Sequence, residues 1–248
     1  MRKHLVSVIV AICVLMTSAF ALTREQINTA DALNSLGLFN GTDSGYQLNV
    51  QLKRSDGITL LVRLLGKEAE ATSGKYSHPF TDVAEWLDPY VACAYEAGYT
   101  TGTGATTYGS DNTMSRNEFY TVVLRALGYT DAGETPDFTW SDAATFAKTV
   151  GLSDSDMAKT KFSRADAIEV FWKAMDAELK GQSKTLGEKL LADGVFTAAE
   201  LTEAEKLQSN PYPNEEKETP YEGFAYETIV PVEAVIHLES QAEENNVH

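Results

Sequence analysis

A chain of 248 residues with a formal net charge of −16 and a sequence pI near 4.6 repels polyanions, which excludes a general nucleic-acid binder. Hydrophobic residues make up 43% of it, enough for a packed core, and two cysteines cannot supply a disulfide framework in place of one. The opening residues Arg2-Lys3-His4, an apolar run over 5–16 and the small-residue ending Ala19-Phe20-Ala21 have the pattern of a signal peptide, 1–21, cut after Ala21. That run is shorter than the roughly 20 residues of a spanning helix, and bulky Ile12 before Cys13 does not suit a lipoprotein signal. The mature chain, at −18 without Arg2 and Lys3, is therefore expected to be secreted, free of the bilayer, and left with Cys93 as its one thiol.

The first mature helix is expected to start at a Thr23 to Gln26 capping box, to carry Ile27, Ala30, Leu33 and Leu36 at helical spacing, and to end at Gly37. A polar loop over 40–47 then leads to Lys53-Arg54-Ser55-Asp56 and a helix over 58–65, closed by Gly66. In the second unit Phe80-Thr81-Asp82-Val83 and Trp86 precede Asp88-Pro89, which reads as an N-cap followed by a proline at the first helical position. Tyr90, Val91, Ala94 and Tyr95 give that helix its apolar face, and Gly98 ends it. A Gly/Thr/Ser-rich loop carrying Tyr108 follows, then Ser115-Arg116-Asn117-Glu118 and a helix to Leu127, stopped by Gly128. The third unit is shorter: Trp140-Ser141-Asp142-Ala143 parallels Phe80-Thr81-Asp82-Val83, but Gly151 and Ser163-Arg164-Ala165-Asp166 arrive early, so its first helix and its loop are both clipped. A further helix is expected from the Thr185 to Glu188 box through Leu191. From Thr202 onward eleven Glu face two Lys, and this acidic, Pro-containing segment reads as a mostly disordered tail.

Three copies of one arginine motif thus open three apolar helices. Apolar residues recur seven (Leu61, Val123, Phe171) and eleven (Leu65, Leu127, Met175) positions past each arginine. Such an internal repeat hides its apolar faces only against its neighbours. Ser115 and Glu118 can cap a helix start reciprocally, which holds Arg116 beside free amide hydrogens and the positive end of the helix dipole, a setting that favours an anion. A carboxylate docked there could take a bidentate pair from the guanidinium. The same arginines could equally pair with Asp82 or Asp142 of a neighbouring unit and hold repeats together. Trp86, Trp140, Tyr46 and Tyr108 could stack on a sugar, although aromatics at unit boundaries more often belong to the core.

No catalytic set can be assembled from mature His78, His237 and His248, and Cys93 falls where a small buried residue is expected. Asp111-Asn112 and Asp154-x-Asp156 lack the ligand series of a calcium loop, so no metal or cofactor is expected. The reading is of a noncatalytic protein.

The order Phe80-x-Asp82-Val83, Trp86, Gly98-Tyr99-Thr100-Thr101-Gly102, Tyr108, Met114-Ser115-Arg116-Asn117-Glu118 resembles the S-layer homology motif, which runs from FxDV through W and GIxxG to an aromatic and TRAE. Residues 22–66 resemble a first copy that lacks FxDV but keeps Gly37-Leu38-Phe39-Asn40-Gly41, Tyr46 and Arg54, 76–128 a second, and 138–176 a shortened third; 177–201 add a helix and 202–248 the acidic tail. The resemblance implies an all-α, pseudo-threefold, three-pronged spindle secreted by a Gram-positive type of bacterium. It implies noncovalent anchoring through secondary cell-wall polysaccharide, often capped by a pyruvate ketal, held in grooves between repeats. Carried over by position, the ligand-binding residues are Arg54, Arg116 and Arg164, with Gly41 and Gly102 lending backbone and Asp82, Trp86, Trp140 and Asp142 shaping the groove. Lys53 replaces the capping hydroxyl of the first copy, and Ser155 stands where the third copy needs its second glycine. The alternative is a protein-interaction or structural envelope module of the same fold, with the acidic tail recruiting a partner.

Overall fold

Nine α-helices account for most of the regular structure in the computed structural model, which describes residues 22–154 and 161–210. Among those residues there are no strands, only isolated bridges. They belong to one compact unit. The proposed signal segment, Ser155 and the stretch from 211 onward lie outside the described residues.

Helix α1 (Arg24–Ser35) begins at the Thr23–Gln26 capping box. The three arginine helices are α2 (Arg54–Leu64), α5 (Arg116–Ala126) and α7 (Arg164–Asp176), each with the motif arginine as its first residue. Complete capping boxes join Ser115 to Glu118 and Ser163 to Asp166, whereas Lys53 offers α2 no side-chain cap. Between them lie α3 (Glu68–Ala71), α4 (Asp88–Glu96), a 3-10 turn (Trp140–Asp142) and α6 (Ala143–Thr149). The first helix of the third unit has 7 residues against 12 in the first unit and 9 in the second, as its clipped sequence requires. Asp88 departs from expectation. It is the first helical residue and not the cap, a place taken by Leu87, and its carboxylate lies 3.1 Å from the Nε2 of His78.

Helices pair across units. Helix α2 packs on α4, α5 on α6, and α7 returns to α1. Each arginine helix therefore lies against the first helix of the next unit, and the third closes on the first. The segments just before the arginines bond to one another: Met114 N–H donates to the Leu52 carbonyl at 2.8 Å and Leu52 N–H to the Phe162 carbonyl at 2.9 Å. Arg54 N–H donates to Asn112 O and Arg164 N–H to Val50 O. Leu52, Met114, Phe162, Arg54 and Arg164 are buried, where backbone groups need such partners because water cannot reach them. Leu52, Met114 and Phe162, each two residues before an arginine, are all buried in the core where the segments meet. Leu52→Ala is expected to cost about 3 kcal/mol, from lost burial plus the cavity left at a point that neighbours on all sides hold open. A urea unfolding curve with an unchanged slope checks it.

The C-terminal part of the unit extends further than the sequence suggested. Helix α8 (Leu186–Ala192) starts at the expected Thr185–Glu188 box, but a ninth helix, α9 (Ala198–Ser209), runs through the start of the proposed tail. It opens at a Thr197–Glu200 box and packs on α1. Ala204 is fully buried, with Leu201 and Leu207 against the core. Asn28, itself buried, donates from Nδ2 to the carbonyls of Gln208 and Asn210 at 3.3 and 2.5 Å, which satisfies backbone acceptors at the end of α9. The acidic composition concealed this helix because its glutamates sit on the solvent face while the small apolar stripe is only three residues wide.

Trp86 and Trp140 also depart from the core expectation. Trp86 is 59% and Trp140 56% exposed. Phe80 is buried, but in the parallel third segment it is Phe138, not Trp140, that enters the core, where it stacks on Phe146.

Candidate functional site

Arg54 and Arg164 stand at their helix starts but point into the molecule, each only 6% exposed. The Nε of Arg54 donates to the Tyr108 carbonyl at 3.0 Å, and an NH1 proton goes to Glu118 Oε1 at 3.0 Å. The guanidinium lies 4.9 Å from the Tyr108 ring centroid, and the Tyr108 hydroxyl donates back to the Arg54 carbonyl at 3.2 Å. Burial pushes the Tyr108 phenol far up, so it remains a donor. Arg164 repeats the arrangement where the third unit meets the first. Its Nε donates to the Tyr46 carbonyl at 3.1 Å, NH1 lies 3.5 Å from Asp56, and the Phe39 ring is 5.6 Å away. In both cases an arginine reaches the aromatic-loop carbonyl and the motif acid of a neighbouring unit. The expected partners Asp82 and Asp142 are not the ones used.

Those two aspartates serve their own segments. Asp82 accepts from the backbone N–H of Tyr108 at 2.7 Å and of Gly109 at 2.8 Å, and the Tyr108 bond, outweighing partial burial, holds its carboxyl below the usual range. Asp142 accepts from Thr139 N–H at 2.6 Å and closes the 3-10 turn. Gly102 has φ +73°, and a Cβ there would lie 2.3 Å from the Phe80 ring and 2.8 Å from the Thr107 carbonyl, so backbone and aromatic meet where no side chain fits. Gly41 is half-buried just past Phe39.

Arg116 differs. It is half-buried, donates from NH2 to Ser153 Oγ at 3.0 Å, lies 5.4 Å from the Tyr120 ring centroid, and lines an open groove of about 210 Å³. Tyr120, Leu152 and Trp172 supply apolar wall, Ser153 and Gln208 polar edge. The side chain next to it, Asn117, donates to the Ser141 carbonyl at 3.0 Å and accepts from Ala144 N–H at 3.3 Å, which docks the start of α6 on α5. Tyr46 and Tyr108 each stand eight residues before a motif arginine, where the third unit has Asp156. The structure thus brings Arg116 to a groove and ties Arg54 and Arg164 into unit boundaries. Trp86 and Trp140 are left facing solvent.

Sequence reasoning missed a second row of cations, nine residues past each motif arginine: Arg63, Arg125 and Lys173. Arg125 makes a two-point pair with Asp131, 2.8 Å at both oxygens, and donates to the Tyr99 carbonyl at 3.1 Å. Arg63 pairs with Glu68, which also accepts from the Tyr90 hydroxyl, and Lys173 pairs with Asp154. The recurring offset was the available signal.

Several acids are held below their ordinary values. Hydrogen bonds from Tyr76 and Lys67 bring Glu70 to about 2, Arg125 lowers Asp131, and Lys180 with the Thr130 amide lowers Asp137. An acid with a depressed folded pKa contributes stability above its unfolded value and loses it as pH falls through the folded one. The thermal midpoint is therefore expected to hold down to about pH 4.5 and to fall progressively toward pH 2, as scans of helical circular dichroism at stepped pH will record.

Capped helix starts and helices that pair across the chain define an all-helical protein among the described residues. A family model, S-layer homology domain, matches residues 79–119, which span Phe80, Asp82, Trp86, Gly102, Tyr108 and Arg116; the chain carries an S-layer homology domain. Over 116 residues, 46% of the chain, it is 29% identical to the middle cell wall protein of Brevibacillus brevis. Over 95 residues, 36% of the chain, it is 30% identical to an endoglucanase of a Bacillus species. The aligned parts are 11% and 10% of those proteins. No helix among the described residues is long and apolar enough to cross a membrane.

Proposed function

We propose that the chain is a noncatalytic cell-surface module that anchors noncovalently to the cell wall by binding secondary cell-wall polysaccharide between its repeats. The S-layer homology domain and the likeness to a cell wall protein support wall association in general. The observation that supports the polysaccharide is Arg116 at a capped helix start, lining an open groove with aromatic wall. Guanidinium protons suit sugar hydroxyls or a carboxylate, and Tyr120 and Trp172 suit the apolar face of a ring. On this reading residues 22–66 and 138–176 are further repeats of the same family. Arg54 and Arg164 hold units in register, while exposed Trp86 and Trp140 are secondary contacts for the polymer, near segments shaped by Asp82 and Asp142. Gly41 and Gly102 keep the loops close-packed. The likeness to an endoglucanase covers a small part of that protein and transfers no activity.

Co-sedimentation with purified native wall tests this. Arg116→Ala is expected to weaken binding at least about tenfold, the loss of a charge-assisted contact, with little change in melting temperature. If the chain ignores native wall, the polysaccharide reading is wrong, and a protein partner of the acidic segment becomes the alternative to pursue by pull-down.

A further inference from the structure

Residues of α1, α5, α7 and α9 wall the groove that Arg116 lines. Helix α9 brings Gln208, near its C-terminal end, to a space where Thr29 of α1, Tyr120 of α5 and Trp172 of α7 also stand. The family match over 79–119 holds Arg116 but neither Gln208 nor the part of α1 that seats it. Part of this wall is therefore built by chain far past the last arginine helix.

Two separate features put Gln208 there. Leu201, Ala204 and Leu207 turn one narrow stripe of α9 to the core, and Gln208, one helical turn past fully buried Ala204, lies half-buried at the edge of that stripe. Asn28 of α1, only 5% exposed, donates from Nδ2 to the carbonyls of Gln208 and Asn210, groups that find no partner within a helix at its end. The next residue of α1, Thr29, lines the groove itself, so one turn of α1 both holds the end of α9 and faces the site. The chemistry of the pair is complementary. A guanidinium offers five donors and no acceptor, whereas a glutamine amide offers both, as the hydroxyls of a sugar require. Helix α9 is also an element that can open on its own, since 12 residues make a marginal helix in isolation and its stripe is narrow.

We infer that α9 is a working part of the binding site: Gln208 contacts the polymer, and docking of α9 on α1 and occupancy of the groove favour one another. The inference rests on the polysaccharide reading and adds its regulation. Polymer that touches Gln208 binds the docked form more tightly than the released one, so it stabilises docking by the same factor by which docking improves binding.

The test uses the full chain, purified native wall and polymer released from that wall. Hydrogen exchange of the α9 amides is expected to slow about threefold or more on saturation with polymer. Gln208→Ala should weaken co-sedimentation with wall about fivefold, the factor expected from one hydrogen bond, without speeding α9 exchange in the free chain. Ala204→Glu places a charge on the buried stripe and should release α9, so that its amides exchange freely and wall binding falls at least as far as in Gln208→Ala. Circular dichroism checks that the other helices of this variant persist; if they do not, the first two measurements decide. Undiminished binding by Gln208→Ala, or α9 exchange untouched by polymer, overturns the inference. If Arg116→Ala still loses binding in that case, the polysaccharide reading stands without it. Absence of binding by the unsubstituted chain to native wall defeats the polysaccharide reading and this inference together.

Discussion

Replacing Arg54 with methionine is expected to lower stability by about 3–5 kcal/mol, because removing one partner leaves the other charge largely buried and uncompensated. The substitution strands Glu118, whose side chain is 24% exposed, and deprives the Tyr108 carbonyl of its donor at the same time. The loss falls between units, so equilibrium unfolding should show a lower urea midpoint, and the α2–α5 boundary should gain hydrogen exchange first. Glu118→Gln in the same background should recover part of the loss, since a neutral amide is easier to leave without its partner. A purely surface role for Arg54 would predict a change within about 0.5 kcal/mol and no rescue. The contrast with Arg116 is the useful control: that arginine should matter for wall binding and little for folding.

Gly102→Val should cost about 2–4 kcal/mol, combining the penalty for a β-branched residue at positive φ with overpacking. The backbone φ is +73°, and the first added atom would lie inside contact distance of both Phe80 and the Thr107 carbonyl. Phe80 packs edge-on to Tyr95 and tilted on Tyr108, so it has little room to retreat. Disturbing it would also move the loop that presents the Tyr108 carbonyl to Arg54. Thermal unfolding followed by near-ultraviolet dichroism should show loss of aromatic packing before loss of helix.

Much of the fold was legible because its signals are local. Capping boxes at Thr23, Ser115 and Thr185 depend on two side chains three residues apart, and all three formed as expected. The absence of a hydroxyl at Lys53 likewise left α2 without a side-chain cap. What was misread depended on distant partners. Asp88 sits inside its helix, and α9 forms within an acidic stretch because Asn28 and the face of α1 receive it. Trp86 and Trp140 look like core residues by type, but buried Phe80 and Phe138 occupy the interior places, and both indoles remain in solvent.

The candidate site divides the same way. Recurrence in the sequence singled out Arg54, Arg116 and Arg164 and placed each at a helix start, since a motif of adjacent residues needs nothing beyond its own turn to do so. Their unlike fates came from tertiary structure. Whether a guanidinium is buried against an acid or lines a groove is decided by what the next unit brings to it: Tyr108 and Glu118 for Arg54, Tyr46 and Asp56 for Arg164, and a Ser153 hydroxyl beside open space for Arg116. Those partners lie from 37 to 118 residues away along the chain. Cyclic packing of the helices puts them within hydrogen-bonding distance, and no local pattern can specify that.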